Sequence, residues 1–307
     1  MKQILVMNVK KIINFLLSFL NIKIIKKNSD IFTIDGVYKF YYGSQPKSIS
    51  VIKKEKFRNI TSKITVFDIG ANFGQSIKRF KSISPLSLIY SYEPTELSYN
   101  FLKKNINSDP TVKVYNLALD SKIQKKKIYF YSYGSSSFQK MERENRRERT
   151  QKNFLEENKK FFSNKSINYK KNYINLKIKE LVNTTTVDKE IFKNKVKKIN
   201  ILKIDTQGYE YQVLKGAKNS LKRQKIDFIE FEQIFCDMYQ TNNEKNFSLI
   251  LKLLSECDYK LILIKPIGRT NFYFDSDYQA EILFCNKEAY KSIKNFHFKN
   301  ANNITLR

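Results

Sequence analysis

Val66-Phe67-Asp68-Ile69-Gly70-Ala71-Asn72-Phe73-Gly74-Gln75-Ser76 is the stretch that decides the fold. It grows out of the apolar run Ile64–Ile69, which reads as a buried strand, and it leads into the helical pattern Gln75–Ser82. Glycine serves such a junction because the backbone must turn tightly and approach a ligand lying across the carboxyl edge of a sheet. The G-x-x-x-G spacing differs from the dinucleotide-binding G-x-G-x-x-G, and an acidic residue precedes the first glycine. Nineteen residues after Gly74, at the end of a second apolar run, stands Glu93. A carboxylate there can accept both hydroxyls of a ribose.

Outward from this turn, short apolar runs alternate with helical patterns. Strands are expected at Leu88–Tyr92, Val112–Leu117, Ile199–Ile204, Phe228–Phe231, Tyr259–Ile264 and Ala280–Cys285, with an extra one at Lys127–Ser132. Helices are expected at Glu96–Asn107, Tyr209–Arg223 and Lys245–Ser255. This alternation predicts an α/β fold: a mostly parallel, seven-stranded sheet with helices on both faces. The core domain is expected over residues 60–290, between a basic amphipathic extension (1–59) and a polar tail (291–307). Within it, residues 133–175 form an insertion whose charged part, 139–171, holds eleven Lys/Arg against five Asp/Glu. That part is either a solvated surface segment or a lid or partner-contact element.

The 307 residues carry a net charge of +28, which invites a nucleic-acid reading. Only nine of the 57 basic residues are Arg, the usual base-edge and bidentate phosphate reader, and the Lys excess runs along the whole chain. A composition effect explains it better than a nucleic-acid footprint. One His and three distant cysteines (Cys236, Cys257, Cys285) exclude a zinc ribbon, a disulfide-stapled domain and any two-histidine mechanism. Residues Met1–Lys27 contain six Lys and no acid, and the apolar stretch Ile12–Ile22 falls short of the roughly 20 residues a spanning helix needs. With no small-x-small cleavage site after it, the segment reads as an amphipathic helix that lies on an anionic membrane surface or caps the core. The expected location is the cytoplasm, peripheral to the inner face of the membrane if that helix meets lipid.

Strand, DxGxxxG turn, helix, strand and Glu is the order in which class I methyltransferases bind S-adenosylmethionine. VFDIGANFGQS, YSYEPTELSYNFLKKNI, VYNLALDSKIQKKKIYFYSYGSSSF and ILKIDTQGYEYQVLKGAKNSLKRQKIDFIEFE follow one another over roughly residues 60–285. Together they resemble the FkbM-type methyltransferases, most distinctively in the D-x-x-G-x-E-x-x-V-L-x-G block. The resemblance implies a Rossmann-like enzyme that uses S-adenosylmethionine to methylate a hydroxyl of a sugar, glycan or related secondary metabolite, often in surface polysaccharide biosynthesis. It places Asp68 near the amino-acid end of the cofactor, makes Gly70, Asn72 and Gly74 one turn, and sets Gln75 and Ser76 at a helix N-terminus facing the cofactor carboxylate. Glu93 would clasp the ribose, and Ala118 and Leu119 would pack adenine. A turn-capping Asp68, an Asn72 that merely tolerates the left-handed region, and core packing by Ala118 and Leu119 are the structural alternatives.

For the acceptor, Asp205 ends the strand Ile199–Ile204 and Glu232 ends the next, so two carboxylates at adjacent strand ends can share a substrate hydroxyl or a divalent cation. Asp205 is the first choice of base and Glu232 the second. Both would be the ligands if Mg²⁺ took part, a point the residues leave open. Where the family commonly has Glu, this chain has Gln207, which can orient a hydroxyl but cannot act as base or charged ligand. Glu230 should point to the same face but deeper, and Glu210 should be a surface or capping group. His297 lies in the polar tail, which argues against a histidine base. Ser135, Ser136 and Ser137 suit sugar recognition or a polar loop equally, and Tyr239 is either a sugar-stacking or an ordinary half-buried ring. The expected partner is a sugar, glycan or glycolipid acceptor, with an anionic membrane as a second contact; a nucleic-acid methyltransferase and an inactive membrane-associated scaffold are the alternatives. Against nucleic acid, no N/D-P-P-[YF/W] motif and no catalytic Cys stand in the core.

Overall fold

The computed structural model describes residues 33–43, 60–106, 109–132, 135–139, 179–235, 243–267 and 279–301. The helices are α1 (Ile34–Tyr42), α2 (Gln75–Ile83), α3 (Glu96–Asn105), α4 (Val187–Lys193), α5 (Glu210–Lys215), α6 (Lys218–Lys222), α7 (Asn243–Glu256) and α8 (Lys287–Ala301). The strands are β1 (Thr65–Ile69), β2 (Leu88–Tyr92), β3 (Val112–Tyr115), β4 (Ala118–Leu119), β5 (Lys125–Ser132), β6 (Ser135–Ser137), β7 (Lys179–Thr185), β8 (Ile199–Ile204), β9 (Ile226–Ile234), β10 (Lys260–Ile267) and β11 (Gln279–Cys285). Seven of them form one sheet in the order β10-β11-β9-β8-β1-β2-β3, and β4, β7, β5 and β6 form a smaller one beside it. In the large sheet β3, β2, β1, β8 and β9 run parallel, and β11 is antiparallel to both β9 and β10. This is the expected α/β, Rossmann-like class I architecture, with one reversed strand.

Both faces of the sheet are covered, as the continuous apolar runs require. On one face Phe67, Tyr90, Leu202, Ile204, Ile229 and Phe231 pack against α4 to α7. On the other, Val66, Ile89, Ile201 and Phe228 pack against α1, α2 and α8. Side chains alternate along a strand, so on this second face the next register row is polar: Ser91, Asp68, Lys203 and Glu230 stand side by side across β2, β1, β8 and β9. One step further, at the carboxyl edge, the row is Gly70, Asp205 and Glu232. The face thus grades from apolar core through a buried charged layer to the strand ends where ligands bind in open α/β sheets.

Several elements differ from the sequence expectation. The third strand stops at Tyr115, because Asn116 turns away with its side-chain amide donating to the carbonyls of Glu93 (3.1 Å) and Pro94 (2.8 Å). Ala118 and Leu119 then pair with Thr184 and Thr185 of β7 in the second sheet. The expected helix over 209–223 breaks at Gly216, where a Cβ would stand 2.1 Å from the carbonyl oxygen of Asp120. Helix α8 crosses residue 290 and continues to Ala301, so the stretch read as a tail is helical up to there. Within the segment read as an extension, α1 is capped by Thr33, whose Oγ1 accepts from the Gly36 N–H (2.9 Å), and it buries Ile34, Tyr38 and Phe40. Met1–Lys27, residues 140–171 of the charged insertion, Cys236, Tyr239 and the His297 side chain lie outside what is described. Among the described residues no helix is long and apolar enough to cross a membrane.

Candidate active site

A cavity of about 300 Å³ opens at the carboxyl ends of β1, β2 and β8. Its floor is the turn quoted at the outset. Gly70 (φ +80°), Asn72 (φ +46°) and Gly74 (φ +94°) all lie in the left-handed region. Gly70 is constrained twice, since a Cβ there would stand 1.9 Å from the carbonyl oxygen of Asp205. Asn72 does more than tolerate its conformation: its N–H donates to Glu93 Oε2 (3.0 Å). Thr95 donates to Oε1 through its N–H (3.0 Å) and hydroxyl (2.6 Å). Oε2 therefore accepts one hydrogen bond among the described residues and retains capacity for a ligand hydroxyl. Burial pushes the Glu93 carboxyl up to about 7 despite these three donors.

Gln75 and Ser76 line the cavity at the first turn of α2, which has no side-chain cap, so its leading N–H groups are available to an anion. Ala118 and Leu119 line it from β4. Leu119 also belongs to the apolar core, so shelf and core packing are the same surface. Gly74 stands outside the lining and starts α2. Asp68 is outside it too. Fully buried in the charged layer, neither of its carboxylate oxygens has a hydrogen bond, and Oδ1 lies 3.7 Å from Lys203 Nζ. Burial raises its pKa, opposed by Lys203. This glycine cradle, the Glu93 carboxylate and the uncapped helix start fit the ribose and carboxylate of S-adenosylmethionine.

At the other end of the cavity Asp205, one-third exposed, accepts from Lys203 Nζ on Oδ2 (3.2 Å) and from Gln207 Nε2 on Oδ1 (2.9 Å). The same Gln207 nitrogen is 3.5 Å from Glu232 Oε2. Burial, then the Asp205 and Glu210 carboxylates, push Glu232 up to about 7. Gln207 (φ +54°) and Gly208 (φ +89°) take left-handed conformations, and Glu210 holds the turn by accepting from the Thr206 N–H (3.1 Å), the Thr206 hydroxyl (3.1 Å) and the Gly208 N–H (3.2 Å). Glu210 is thus a buried strut of the turn rather than a surface group, and burial pushes it up to about 7. Ser136 and Ser137 line the cavity, and the Ser137 hydroxyl donates to the Gln207 carbonyl (2.8 Å).

Two residues of the charged layer, one of them on the cavity wall, are not singled out by the sequence. Lys203 lines the cavity and bridges Asp68 and Asp205; its signal was a lysine inside the apolar run ILKID, two residues before the acid and so on the same face. Burial alone would lower its pKa, but Asp205, Asp68 and Glu230 outweigh burial and hold it above the ordinary lysine value. Arg79 was the other. It pairs with Glu230 through both terminal nitrogens (2.5 and 3.0 Å) and with Asp35, while the Tyr38 hydroxyl donates to Glu230 Oε2 (2.8 Å). Burial would raise Glu230, yet Arg79 and Tyr38 hold it low, so the expected deep acid is a fixed anion already matched.

No curated protein matches the sequence. Among solved structures, the chain is similar to precorrin-6y C5,15-methyltransferase from Geobacter metallireducens (9% identity, 74% of this chain and 81% of that one, TM-score 0.37). It is also similar to the fibrillarin pre-rRNA processing protein of Methanococcus jannaschii (11%, 77% and 72%, TM-score 0.40) and to M. capricolum TrmK in complex with S-adenosyl-homocysteine (14%, 74% and 64%, TM-score 0.37). Likenesses this distant carry nothing about substrate. Residues 68–261 match the methyltransferase FkbM domain, a span from Asp68 through Glu93 and the Asp205 turn to Glu232 and beyond. The match takes in more than half of the chain, which belongs to the FkbM methyltransferase family and is an S-adenosylmethionine-dependent methyltransferase.

Proposed function

We propose that the protein transfers a methyl group to a hydroxyl oxygen of a sugar, glycan or glycolipid. The observation that supports this reading is the acceptor end of the cavity, lined by the Asp205 carboxylate, the Gln207 amide that donates to it, and Ser136 and Ser137. Such a set recognises hydroxyls by hydrogen bonding and offers a carboxylate to take the proton. S-adenosylmethionine supplies the electrophilic methyl when bound. Gly70, Asn72, Gln75, Ser76, Glu93, Ala118 and Leu119 are the residues that hold it, and Asp68 acts from below through Lys203. At the other end Asp205 accepts the acceptor hydroxyl's hydrogen bond, fixes its direction and takes its proton as the oxygen is methylated. Glu232 lies outside the cavity lining, on the far side of Gln207, where burial and its acidic neighbours push it up to about 7. The chain-wide lysine excess supports an acceptor or carrier with negative charge.

Mass spectrometry of nucleotide sugars, glycans and glycolipids incubated with protein and S-adenosylmethionine tests this, and a methyl increment on a hydroxyl is expected. Asp205→Asn should lower kcat by roughly 10²–10⁴ while S-adenosylmethionine affinity stays within about twofold. Methylation of RNA or of an amine, with no hydroxyl acceptor in the panel, would overturn the proposal.

A further inference from the structure

Two carboxylates at adjacent strand ends invite a divalent cation, but the structure fills that position differently. Gln207 Nε2 reaches toward both Asp205 Oδ1 (2.9 Å) and Glu232 Oε2 (3.5 Å). A bridging cation needs oxygens from both groups at about 2.0–2.6 Å, and it would have to stand where this amide donates. In this arrangement the amide turns its nitrogen, which has no lone pair for a metal, and not its carbonyl oxygen, toward the two carboxylates. The opposite end of Asp205 is taken as well: Lys203 Nζ lies 3.2 Å from Oδ2 and 3.7 Å from Asp68 Oδ1.

The charges around Lys203 show what it serves. Glu230, its register neighbour, is matched by Arg79, and Arg79 also pairs with Asp35. That leaves Asp68 and Asp205 to Lys203. Asp68 has no hydrogen bond on either oxygen, and among the described residues Lys203 is its ion-pair partner. The ammonium is therefore held from below by a buried anion and presents its charge upward to Asp205 on the cavity wall. A dication added beside it would be repelled across a few ångströms of low-dielectric interior.

We infer that Lys203 and Gln207 together take the place a divalent cation would occupy between Asp205 and Glu232, so that this enzyme works without metal and Lys203 is the positioning residue for Asp205. The inference rests on the reading that Asp205 stands at the transfer site. Gln207, seen as a lost carboxylate in the sequence, is then the residue that shapes the site for this mode. With both oxygens engaged by different donors, Asp205 keeps a single orientation toward the acceptor hydroxyl.

Mn²⁺ binding to the full chain, followed by electron paramagnetic resonance, tests the metal half without any acceptor. The wild type should bind no more Mn²⁺ at this site than Asp205→Asn, whereas Gln207→Glu, which restores a third carboxylate, should bind at least about tenfold more tightly. With the methylated acceptor in hand, excess chelator should leave wild-type kcat unchanged. Lys203→Met should lower kcat about tenfold or more with S-adenosylmethionine affinity within about twofold, and Lys203→Arg should recover most of that loss. If Lys203→Met does not fold, the chelator test and Gln207→Glu decide the metal half, and a folded Lys203→Arg whose kcat is more than about tenfold below wild type overturns the positioning half. Tight Mn²⁺ binding by the wild type, loss of turnover in chelator, a folded Gln207→Glu that gains no Mn²⁺, or a folded Lys203→Arg as slow as a Lys203→Met of wild-type stability would overturn the inference. Failure to find a hydroxyl acceptor strikes the proposed function alone and leaves the Mn²⁺ results standing.

Discussion

Glu93, the proposed ribose ligand, sits where two demands collide, because that role asks for a buried carboxylate in its ionised form and burial favours the protonated one. Three donors from Asn72 and Thr95 favour the charged form, yet the group still titrates at about 7 in the free protein. A ligand whose hydroxyls donate to the carboxylate binds the ionised form, so S-adenosylmethionine affinity should strengthen up to about tenfold per pH unit below 7 and level off above it. Calorimetry in buffers of different ionisation enthalpy should show proton release on binding near pH 6, and Glu93→Gln should abolish that release. An affinity flat from pH 5.5 to 8 would count against Glu93 as the ribose ligand. The sign for folding is opposite. Glu93, Glu210 and Glu232 all bind protons more tightly folded than unfolded, so their contribution to stability declines as pH rises from about 4.5 to about 7.

Helix α1 shows how an element outside the matched domain becomes part of the core. Tyr38, Tyr41 and Tyr42 set their rings edge-on to Phe228 at centroid distances of 5.3, 5.2 and 5.8 Å. The Tyr42 hydroxyl donates to Asp227 Oδ2 (2.8 Å), with the Asn200 carbonyl 3.0 Å away sharing that one proton, and Tyr38 donates to Glu230. Tyr38→Phe keeps the ring and removes one donor to a buried, charged acceptor, so chemical denaturation should show a loss of about 1.5–3 kcal/mol with S-adenosylmethionine binding retained. A cost near zero would mean that Arg79 alone satisfies Glu230. In the sequence this helix was hidden: IDGVYKFYY is an aromatic run with no clean helical period, in a stretch dominated by lysine. Helix α8 was hidden likewise, since among its described side chains the fully buried apolar one is Ala289, with Tyr290 and Ile293 only partly covered. β1, β2, β8 and β9 were legible because parallel strands buried on both faces read as runs dominated by Val, Ile, Leu, Phe and Tyr, each carrying polar or charged residues toward its carboxyl end. The same division holds in the site. Gly70, Asn72, Glu93 and Asp205 are tied to local geometry at a strand end and could be read from spacing. Lys203 and Arg79 owe their roles to the cross-strand row of Asp68, Lys203 and Glu230, which depends on partners far apart in the chain.

Across the whole molecule, the charge of +28 has to be reconciled with a site in which acids outnumber bases. Lys203 stands against Asp68 and Asp205, Arg79 against Glu230 and Asp35, and the half-exposed Lys198 pairs with buried Asp227 at 2.7 Å, so three cations meet five carboxylates. Among the described residues Lys203 is the lysine that lines the cavity, so the other basic groups described act on other molecules through long-range, screened fields rather than through the chemistry of the cavity. This separates two classes of acceptor by their response to salt. An acceptor bound through six or more backbone phosphates would lose roughly a thousandfold in affinity between about 50 and 200 mM salt, as released counterions must be recovered. A neutral glycan held by Asp205, Gln207 and the Ser136 hydroxyl exchanges hydrogen bonds with water and should change in KM by less than about twofold over the same range. A glycan on an anionic carrier should fall between these limits, with KM rising as salt screens the lysines while kcat stays level, because the field governs encounter and the cavity governs transfer. Steady-state kinetics at three salt concentrations would separate the cases. A kcat that falls with salt while KM holds would show that the surface charge reaches the reacting groups and would break this division between surface and site.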